Sequence, residues 1–377
     1  MHSSDRIRGS LSSKLKGKKI VLAMTGSIAC VECVKLARQL IRHGADVVAV
    51  MSKEATQFLS PESMKFATGN DVITELTGRA EHTGNEGDIL LIAPCTANTI
   101  SKIALGIADN AVTTFALAFD KKIMIAPAMH LSMYENEVIK KNMEICRERG
   151  IKFIPPKIEE NKAKMADVDR IVEEVLRAFG KDKGKKVLII GGPTYEPMDD
   201  VRVITNLSSG KMSMALAMEA YERGMEVKMW ASFDVPPYIS SKKFRSVDDI
   251  KKLVEMEGEK YHAVINCAAI SDFVVDKKEG KMEGGKEISI DLQPAPRINP
   301  MLKKIADTVI SFKLEKENVV EEGMKLMERE GVDYVVCNTI ESIGGETTKI
   351  WILGKKGVIR EAEGEKRKVA NEILDLI

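Results

Sequence analysis

The chain has almost no net charge and no long apolar run, and its first residues do not have the pattern expected of a secretory leader; each feature counts against a class of protein. Its 377 residues include 57 basic and 56 acidic side chains, for a formal net charge of +1. Neither nucleic acid nor an anionic membrane is therefore indicated as a partner. No apolar stretch approaches the length of a membrane span. The segment before Gly17 has no apolar centre of the kind that a secretory signal needs, so we expect a loose extension or one short helix there.

Cysteine is also scarce, with six residues in the chain. Most of them have apolar neighbours, which is typical of reduced core cysteines and predicts a cytoplasmic protein. Cys30 and Cys33 form a single C-x-x-C pair on a predicted first helix. A thioredoxin-like redox pair is one interpretation, and two small buried residues on a helix is the simpler one. Because no second pair exists, a structural zinc site is not expected.

What the chain does contain is a pattern of strand, glycine turn and helix that occurs twice. The predicted strands of the first half are 18–24, 46–51, 89–93 and 123–126, and those of the second half begin at Lys185 and continue at 226–231, 262–268, 307–312 and 334–338. Continuous apolar runs of this length are typical of strands buried on both faces. The alternation predicts an α/β protein of two Rossmann-like domains, each a mostly parallel sheet with helices on both faces.

Domain boundaries follow from changes in composition. We expect an N-terminal extension at 1–17, a first domain at 18–180 and a second at 181–377, with the Gly/Lys-rich stretch 180–184 as the linker. The polar residues 155–164 predict an irregular segment, and residues 286–292 predict one arm of a hairpin.

The turn Thr25-Gly26-Ser27 lies between a buried strand and a helix and is suited to a phosphate group. It is not a G-x-G-x-x-G turn, and the second strand ends in Met51-Ser52 without an acidic residue. A dinucleotide is therefore disfavoured, and a mononucleotide fits. Many such turns carry glycine and serine without any ligand, so the turn is weak evidence alone.

Two polar clusters follow later strands of the first half. Residues 93–98, continuing to Asp109-Asn110, form the first, and residues 126–134 form the second. Ligands of open α/β sheets lie beyond the carboxyl ends of the strands, which favours a binding crevice here. Helix capping by Thr96, Asn98 and Asn110 is the alternative, and it explains one cluster more easily than two. His82, in a polar loop before the third strand, is on its own most simply a surface histidine.

The second half has its own candidate site. Residues 191–194 form a glycine-rich turn, and residues 200–212 combine an arginine, an amide, two serine hydroxyls, a glycine and a lysine before a long helix. Such a stretch can bind an anion, or it can be a loop that ends in a serine cap. Residues 266–273 follow a strand, and the lysine-rich loop after them can close over a triphosphate or simply be solvated.

The motifs of the first half resemble the homo-oligomeric flavin-containing cysteine decarboxylases, phosphopantothenoylcysteine decarboxylase in particular. The resemblance implies an FMN cofactor, with His82 as the catalytic acid/base group. It implies FMN contacts from Gly26, Ser27, Ser52, Pro94, Thr96, Asn98 and Met129, and substrate contacts from Asn110, His130 and Met133. The implied reaction oxidises the cysteine end of the substrate toward a thioaldehyde, so that carbon dioxide leaves easily before the electrons return.

This half departs from the family pattern in three places. His130 replaces the asparagine that binds the substrate carboxylate, Cys95 replaces an alanine, and the short flap 159–165 has no cysteine. Archaeal-type relatives share the histidine and the short flap, which indicates a variant and not a lost activity. The proton donor of the family's flap is missing, and Cys95 or a water molecule are the candidates to replace it.

The second half resembles phosphopantothenate–cysteine ligase over nearly all of residues 185–377. The resemblance implies that the nucleotide activates the phosphopantothenate carboxylate, with Asn206, Arg202 and Lys281 as catalytic residues. It implies nucleotide contacts from Gly192, Thr194, Ser208, Ser209, Gly210, Lys211, Ala268, Asp272 and Phe312. Magnesium is expected to bind together with the triphosphate. The sequence does not identify its protein ligands. The stretch 294–296 differs from the Asn-Pro that the family often has in its base-recognition loop. The choice between CTP and ATP as the nucleotide is therefore open.

Together the halves resemble the bifunctional phosphopantothenoylcysteine decarboxylase and phosphopantothenate–cysteine ligase family of coenzyme A biosynthesis over about 360 residues. The resemblance also implies a homo-oligomer with a trimeric decarboxylase core and dimeric ligase contacts. One rival is a single-function flavoprotein, of the decarboxylase or flavin prenyltransferase type, fused to a reductase-like domain. This rival predicts a dinucleotide-binding fingerprint after Ile190. The sequence there, Gly-Gly-Pro-Thr, matches such a fingerprint poorly. A second rival is a non-enzymatic flavin-binding regulator, which would not need Arg202, Asn206 and Lys281 together.

Overall fold

The computed structural model describes residues 2–77, 87–285 and 287–377. The chain divides into two compact units, residues 1–179 and residues 180–377, which we call the N-terminal unit and the C-terminal unit. Each is an α/β fold around a largely parallel sheet, so the predicted fold class is confirmed.

The N-terminal unit contains a five-stranded sheet and a small three-stranded sheet. Its strands are β1 (Lys19–Met24), β2 (Asp46–Met51), β3 (Ile89–Cys95), β4 (Lys122–Pro127), β5 (Met129–His130), β6 (Lys152–Phe153), β7 (Lys157–Glu159) and β8 (Lys162–Lys164). Its helices are α1 (Ser3–Ile7), α2 (Cys33–Arg42), α3 (Pro61–Thr68), α4 (Ala97–Leu105), α5 (Ala111–Ala118), α6 (Leu131–Tyr134), α7 (Glu137–Glu148) and α8 (Val168–Ala178). The large sheet has the order β2-β1-β3-β4-β6, and all its pairs are parallel. The strand order therefore reverses between β1 and β3.

Apolar residues cover both faces of this sheet. On one face, Leu36 and Leu40 of α2 and Ile171 of α8 pack against β1 and β2. On the other face, Ile100 of α4 and Phe115 of α5 form a second cluster. Alternate residues of β1 belong to the two clusters, which is why the whole strand is apolar.

The segment before Gly17 belongs to the N-terminal unit. It contains α1, and the Leu15 side chain is fully buried in the cluster beneath α2 and α8. The short helix expected there is present, and the loose extension is not.

The C-terminal unit contains an eight-stranded sheet and two small ribbons. Its strands are β9 (Lys186–Pro193), β10 (Tyr195–Pro197), β11 (Val203–Thr205), β12 (Glu226–Ala231), β13 (Ser240–Lys243), β14 (Tyr261–Ala269), β15 (Phe273–Val275), β16 (Leu292–Pro294), β17 (Ala306–Glu315), β18 (Tyr334–Thr339), β19 (Thr347–Gly354) and β20 (Gly357–Glu365). Its helices are α9 (Lys211–Glu222), α10 (Val247–Glu255), α11 (Asn299–Leu302), α12 (Val319–Glu330) and α13 (Lys366–Leu374). The order of the large sheet is β13-β12-β9-β14-β17-β18-β19-β20, parallel as far as β18 and antiparallel beyond it. The strand order reverses between β9 and β14.

Helices again cover both faces of the sheet. Leu216 of α9 and Ile373 of α13 lie in one apolar cluster. Ile250 of α10 and Leu326 of α12 lie in the other, together with the fully buried Trp230 of β12. Both faces of the central strands are thereby removed from water, which is the main source of stability in such a sheet.

Two local predictions were wrong. Residues 155–164 are not irregular, because β7 and β8 form an antiparallel hairpin with Glu160 and Asn161 at positive φ in its turn. Residues 286–292 are not a hairpin arm, because Leu292 alone of the described residues there lies in a strand, and Ile288 and Ile290 are exposed.

The cysteines agree with the simpler interpretation of buried, reduced core residues. All six cysteines are free, and the Cys30 and Cys33 thiols are buried against the carbonyls of Thr25 and Ala93, both at 3.2 Å. Within the described ranges, no helix has the length and apolar character to cross a membrane.

Candidate active sites

The N-terminal unit contains a cavity of about 1080 Å³ at the carboxyl ends of β1 and β3, where the strand order reverses. In open α/β sheets this crevice is the usual position of a ligand. It is lined by nine of the residues predicted to bind FMN or substrate: Gly26, Ser27, Ser52, Thr96, Asn98, Asn110, Met129, His130 and Met133. We call it the N-terminal cavity.

Thr25 joins the two strand ends that border this cavity. Its hydroxyl donates to the carbonyl of Pro94 at 3.0 Å and accepts from the backbone N–H of Thr96 at 2.9 Å. Beside it, a Cβ on Gly26 would lie 2.5 Å from the Cβ of Glu54, so only glycine fits there. The turn after β1 is thus held in register with the turn after β3, and Ser27 is placed at the cavity wall.

Helix capping and cavity lining are properties of the same residues, so the two interpretations of the first polar cluster are compatible. The Thr96 hydroxyl accepts from the Thr99 N–H at 3.4 Å at the start of α4. The Asn110 side chain caps α5 in a reciprocal capping box with Thr113. Asn98 is exposed on the first turn of α4. Both caps fix a polar side chain at the cavity edge.

The hairpin β7–β8 forms the far wall of the cavity. β8 pairs with β5, and this pairing places Lys162 directly opposite His130. Lys162, Met165 and Asp167 line the cavity, although sequence reasoning assigned them no role beyond a flap. The signal that could have found them is the two-residue turn Glu160-Asn161 between alternating apolar and charged residues.

Two residues singled out from the sequence, Pro94 and Cys95, are not part of the lining. Pro94 contributes its carbonyl to Thr25 but does not reach the cavity. Cys95 is fully buried in the apolar cluster that contains Ile100 and Phe115, and burial raises the pKa of its thiol well above the ordinary value. It is therefore not placed to donate a proton in the cavity. His82 lies outside the described residues.

The C-terminal unit contains a cavity of about 520 Å³ between the start of α9, the carboxyl ends of β14 and β17, and the loop before β19. It is lined by eight of the predicted residues: Asn206, Ser208, Ser209, Gly210, Lys211, Ala268, Asp272 and Phe312. We call it the C-terminal cavity. The Asn206 amide donates to the Ala269 carbonyl at 2.9 Å, which ties the loop before α9 to the end of β14.

The cap of α9 is a glycine and not a serine. Gly210 has φ of +70°, and a Cβ there would lie 2.3 Å from the ring of Phe233. The expected alternative of a serine cap is therefore wrong, and Ser208 and Ser209 remain uninvolved in capping. Both residues line the C-terminal cavity.

Gly192 and Thr194 do not reach this cavity. Thr194 is fully buried, and its hydroxyl accepts from the Ser271 N–H at 3.0 Å. Gly192 packs against Ser232 and Phe233, where a Cβ would clash. Both residues shape the loops around the cavity from behind.

Arg202 and Lys281 also lie away from the lining, on two loops that are bonded to each other. Asp199 accepts from the guanidinium of Arg202 at 2.6 Å and from the Met282 N–H at 3.1 Å. Burial of Asp199 raises its pKa, but these bonds and two further backbone N–H groups outweigh burial and hold the pKa well below its ordinary value. Asp200 adds a 2.6 Å ion pair to Lys277. The catalytic candidates Arg202 and Lys281 are thus neighbours, outside the cavity in this conformation.

Sequence reasoning missed a buried polar array on the cavity floor. The Asn299 amide donates to Ser311 at 2.9 Å and to the Glu330 carboxylate at 2.7 Å, and its oxygen accepts from Asn266 at 2.7 Å. Arg297 pairs with the predicted nucleotide residue Asp272 at 3.0 Å. These residues are scattered over separate elements, so no local motif announces them.

One further lysine, Lys366, was also missed. It is the first residue of α13, lies 8% exposed and lines the C-terminal cavity. Its only sequence signal is a lysine in an otherwise apolar helical pattern, which is weak.

Two doubly wound α/β units, each with a cavity at the reversal of its strand order, define the class of two-domain ligand-binding α/β proteins. Comparison with known families agrees with this division. The flavoprotein family matches residues 8–180, and the DNA/pantothenate metabolism flavoprotein C-terminal domain matches residues 182–377.

Curated relatives match along the whole chain. The coenzyme A biosynthesis bifunctional protein CoaBC of Thermococcus kodakarensis is 42% identical, over 100% of this chain and 99% of its own length. The protein of the same name from Methanocaldococcus jannaschii is 36% identical, over 100% and 97%. Among solved structures, the DNA/pantothenate metabolism flavoprotein from Streptococcus pneumoniae is 19% identical with a TM-score of 0.45, over 51% of this chain and 98% of its own. The chain belongs to the family of bifunctional coenzyme A biosynthesis proteins CoaBC.

Membership in this family confirms the resemblance seen in the sequence motifs. The two closely similar relatives quoted are from archaea, in agreement with the archaeal-type features at His130 and the short flap. A single-function flavoprotein fused to a reductase-like domain is not favoured, because the second family match spans 182–377.

Proposed function

We propose that the two units catalyse consecutive reactions of coenzyme A biosynthesis. The C-terminal unit joins cysteine to 4′-phosphopantothenate, and the N-terminal unit decarboxylates the resulting phosphopantothenoylcysteine to 4′-phosphopantetheine. The observation that carries this proposal is the clustering of the predicted residues, nine in one cavity and eight in the other. Family membership over the full chain supports both activities.

FMN is the cofactor that the N-terminal cavity suits. Ser27, Ser52 and Thr96 contribute hydroxyl groups to its lining, while Met129 and Met165 provide apolar surface for an aromatic ring system. When bound, FMN supplies the two-electron chemistry at the cysteine end of the substrate.

The chain's own residues in this cavity bind and orient the substrate. His130 offers an imidazole N–H to the substrate carboxylate, and Asn110 and Met133 hold the adjoining part. His82 is the proposed acid/base group, because imidazole titrates near neutrality. Because Cys95 is fully buried and does not line the cavity, a water molecule is the proposed source of the proton that replaces carbon dioxide.

In the C-terminal cavity, the nucleotide is proposed to bind along Ser208–Lys211, Ala268, Asp272 and Phe312. The phosphopantothenate carboxylate attacks the nucleotide and releases pyrophosphate, and the cysteine amine then displaces the nucleotide from the acyl group. Asn206 steadies the acyl intermediate, Arg202 assists the cysteine step, and Lys281 stabilises charge during activation.

Magnesium is proposed to enter with the triphosphate of CTP or ATP. In the described part of the chain, no group of three or more His, Cys, Asp or Glu residues could hold a metal ion. Mg²⁺ is commonly held by substrate phosphates with few protein ligands, which is compatible with this arrangement.

The proposed assembly is a homo-oligomer with a trimeric decarboxylase core and dimeric ligase contacts. Ile28 and Val31 line the N-terminal cavity and are 68% and 51% exposed, and Leu105 and Leu117 are exposed on the same unit. Exposed apolar side chains of this kind favour contact with another subunit. Residues 1–180 alone are expected to elute as a yellow oligomer in size-exclusion chromatography, and a stable colourless monomer that takes up no FMN would refute the assembly.

A cytoplasmic location is proposed from the thiols, since six free cysteines persist in a reducing compartment. The function itself is tested on the full chain. We expect flavin absorbance bands in the purified protein, and pyrophosphate release that requires phosphopantothenate, cysteine and either CTP or ATP. A colourless protein without nucleotide-dependent pyrophosphate release would contradict both assignments.

A further inference from the structure

Lys366 carries a buried positive charge without an acidic partner in direct contact. It is 8% exposed, and its ammonium donates to the backbone carbonyls of Ser342, at 3.3 Å, and Gly345. The nearest acidic group of the loop, Glu346, is instead paired with Lys211. No ion pair to Lys366 occurs among the residues that the structure describes.

A buried charge of this kind is costly unless an opposite charge accompanies it. The pKa of Lys366 is lowered, first by burial and then by the nearby positive charge of Lys211. Two neutral carbonyls satisfy the hydrogen bonds of the ammonium, but they do not neutralise it. The charge of Glu346 raises the pKa of Lys366, but less than burial and Lys211 lower it, so a further negative charge from a ligand would stabilise the ammonium.

The surroundings of Lys366 are suited to a phosphate group. Lys366 and Lys211 both line the C-terminal cavity and both bond to the loop 342–346, Lys211 through the Gly344 carbonyl at 2.9 Å. Ser208 and Ser209 line the same cavity. Two ammonium groups and two hydroxyls can donate several hydrogen bonds to one tetrahedral anion. A carboxylate has fewer acceptor oxygens and would leave more of these donors without a partner.

We propose that Lys366 is a phosphate-binding residue of the C-terminal cavity, where it acts with Lys211 as the counter-ion of a substrate phosphate. The proposal rests on the proposed ligase function, whose substrates offer this chemistry twice. The phosphate is either the triphosphate of the nucleotide or the terminal phosphate of 4′-phosphopantothenate.

The test measures the binding of each ligand separately to the full chain by isothermal titration calorimetry. The probes are 4′-phosphopantothenate and whichever of CTP and ATP supports pyrophosphate release in the wild type. Lys366→Met is expected to weaken one of them roughly 10- to 100-fold, the usual effect of losing a hydrogen bond to a charged group. Lys368→Met is the matched control, because Lys368 is exposed two residues further along α13 and does not line the cavity.

Thermal unfolding without ligand separates binding from folding. Lys366→Met is expected to melt at or above the wild-type temperature, because it removes an uncompensated buried charge. A selective loss for the nucleotide identifies the triphosphate as the ligand, and a selective loss for 4′-phosphopantothenate identifies its phosphate. Unchanged affinity for both, or a lower melting temperature with an equal loss for both, would overturn the proposal.

The proposed ligase function is judged on the wild type alone. If the wild type binds neither ligand and releases no pyrophosphate, the ligase assignment fails. If the wild type is active and Lys366→Met binds both ligands normally, only the role of Lys366 fails.

Discussion

Replacing Thr25 by valine should destabilise the N-terminal unit out of proportion to the size of the change. The Thr25 side chain is 2% exposed, and valine has nearly the same shape. The change removes the hydroxyl that donates to Pro94 and accepts from the Thr96 N–H. In the valine variant the Pro94 carbonyl still accepts a hydrogen bond from the Thr25 backbone N–H at 3.1 Å. The Thr96 backbone N–H, by contrast, loses the Thr25 hydroxyl as its acceptor.

The magnitude follows from that orphaned donor. Leaving one buried N–H unsatisfied costs about 1–3 kcal/mol, and we take about 2 kcal/mol as the expected loss. For a unit of this size, about 2 kcal/mol lowers the melting temperature by roughly 4–8 °C. The two strand ends should also separate, so FMN should be held less tightly.

Thr25→Ser is the matched control. Serine retains the hydroxyl and deletes one methyl group, which costs about 1 kcal/mol. Thermal unfolding of the full chain, followed by calorimetry and by the release of flavin fluorescence, should rank wild type above Thr25→Ser and Thr25→Ser above Thr25→Val. If the valine variant is as stable as the serine variant, the hydroxyl does not hold the two turns together.

Three further substitutions test the catalytic assignments. His82→Asn should keep FMN bound and abolish decarboxylation, and a normal rate of carbon dioxide release from supplied phosphopantothenoylcysteine would return His82 to an ordinary surface role. Asn206→Asp should block ligation without unfolding, because it sets a carboxylate against the Ala269 carbonyl and the anionic intermediate; an unaffected ligation rate would remove Asn206 from the site. Lys281→Gln should cripple pyrophosphate release by about 10²- to 10³-fold while decarboxylation survives, and wild-type release would refute its role.

The parts of the fold that could be predicted are those fixed by local pattern. β1 was expected at 18–24 and spans Lys19–Met24, because a strand buried on both faces has no alternative to a continuous apolar run. The same logic located β12 at residues 226–231. Cavities of open α/β sheets lie at strand ends, which is why Ser27 and Thr96, chosen from their positions after strands, line a cavity in the structure.

The parts that could not be predicted depend on contacts between distant segments. The positions of Arg202 and Lys281 follow from how Asp199 and Asp200 bind a loop about 80 residues further along the chain. Lys366 meets Lys211 across more than 150 residues, through a loop that carries no motif. No periodicity in one sequence records such pairings.

The bonds between the two exposed loops have a consequence for the kinetics of ligation. Met282 N–H is bound to Asp199, Gly280 N–H to Asp200, and the Arg202 guanidinium to the Met282 carbonyl. Any displacement that brings Lys281 to the cavity either breaks these bonds or carries Arg202 with it. If these hydrogen bonds stay intact, Lys281 and Arg202 reach the cavity together, in one movement of the two loops. The charge stabilisation of carboxylate activation and that of cysteine attack then both depend on this one closing step.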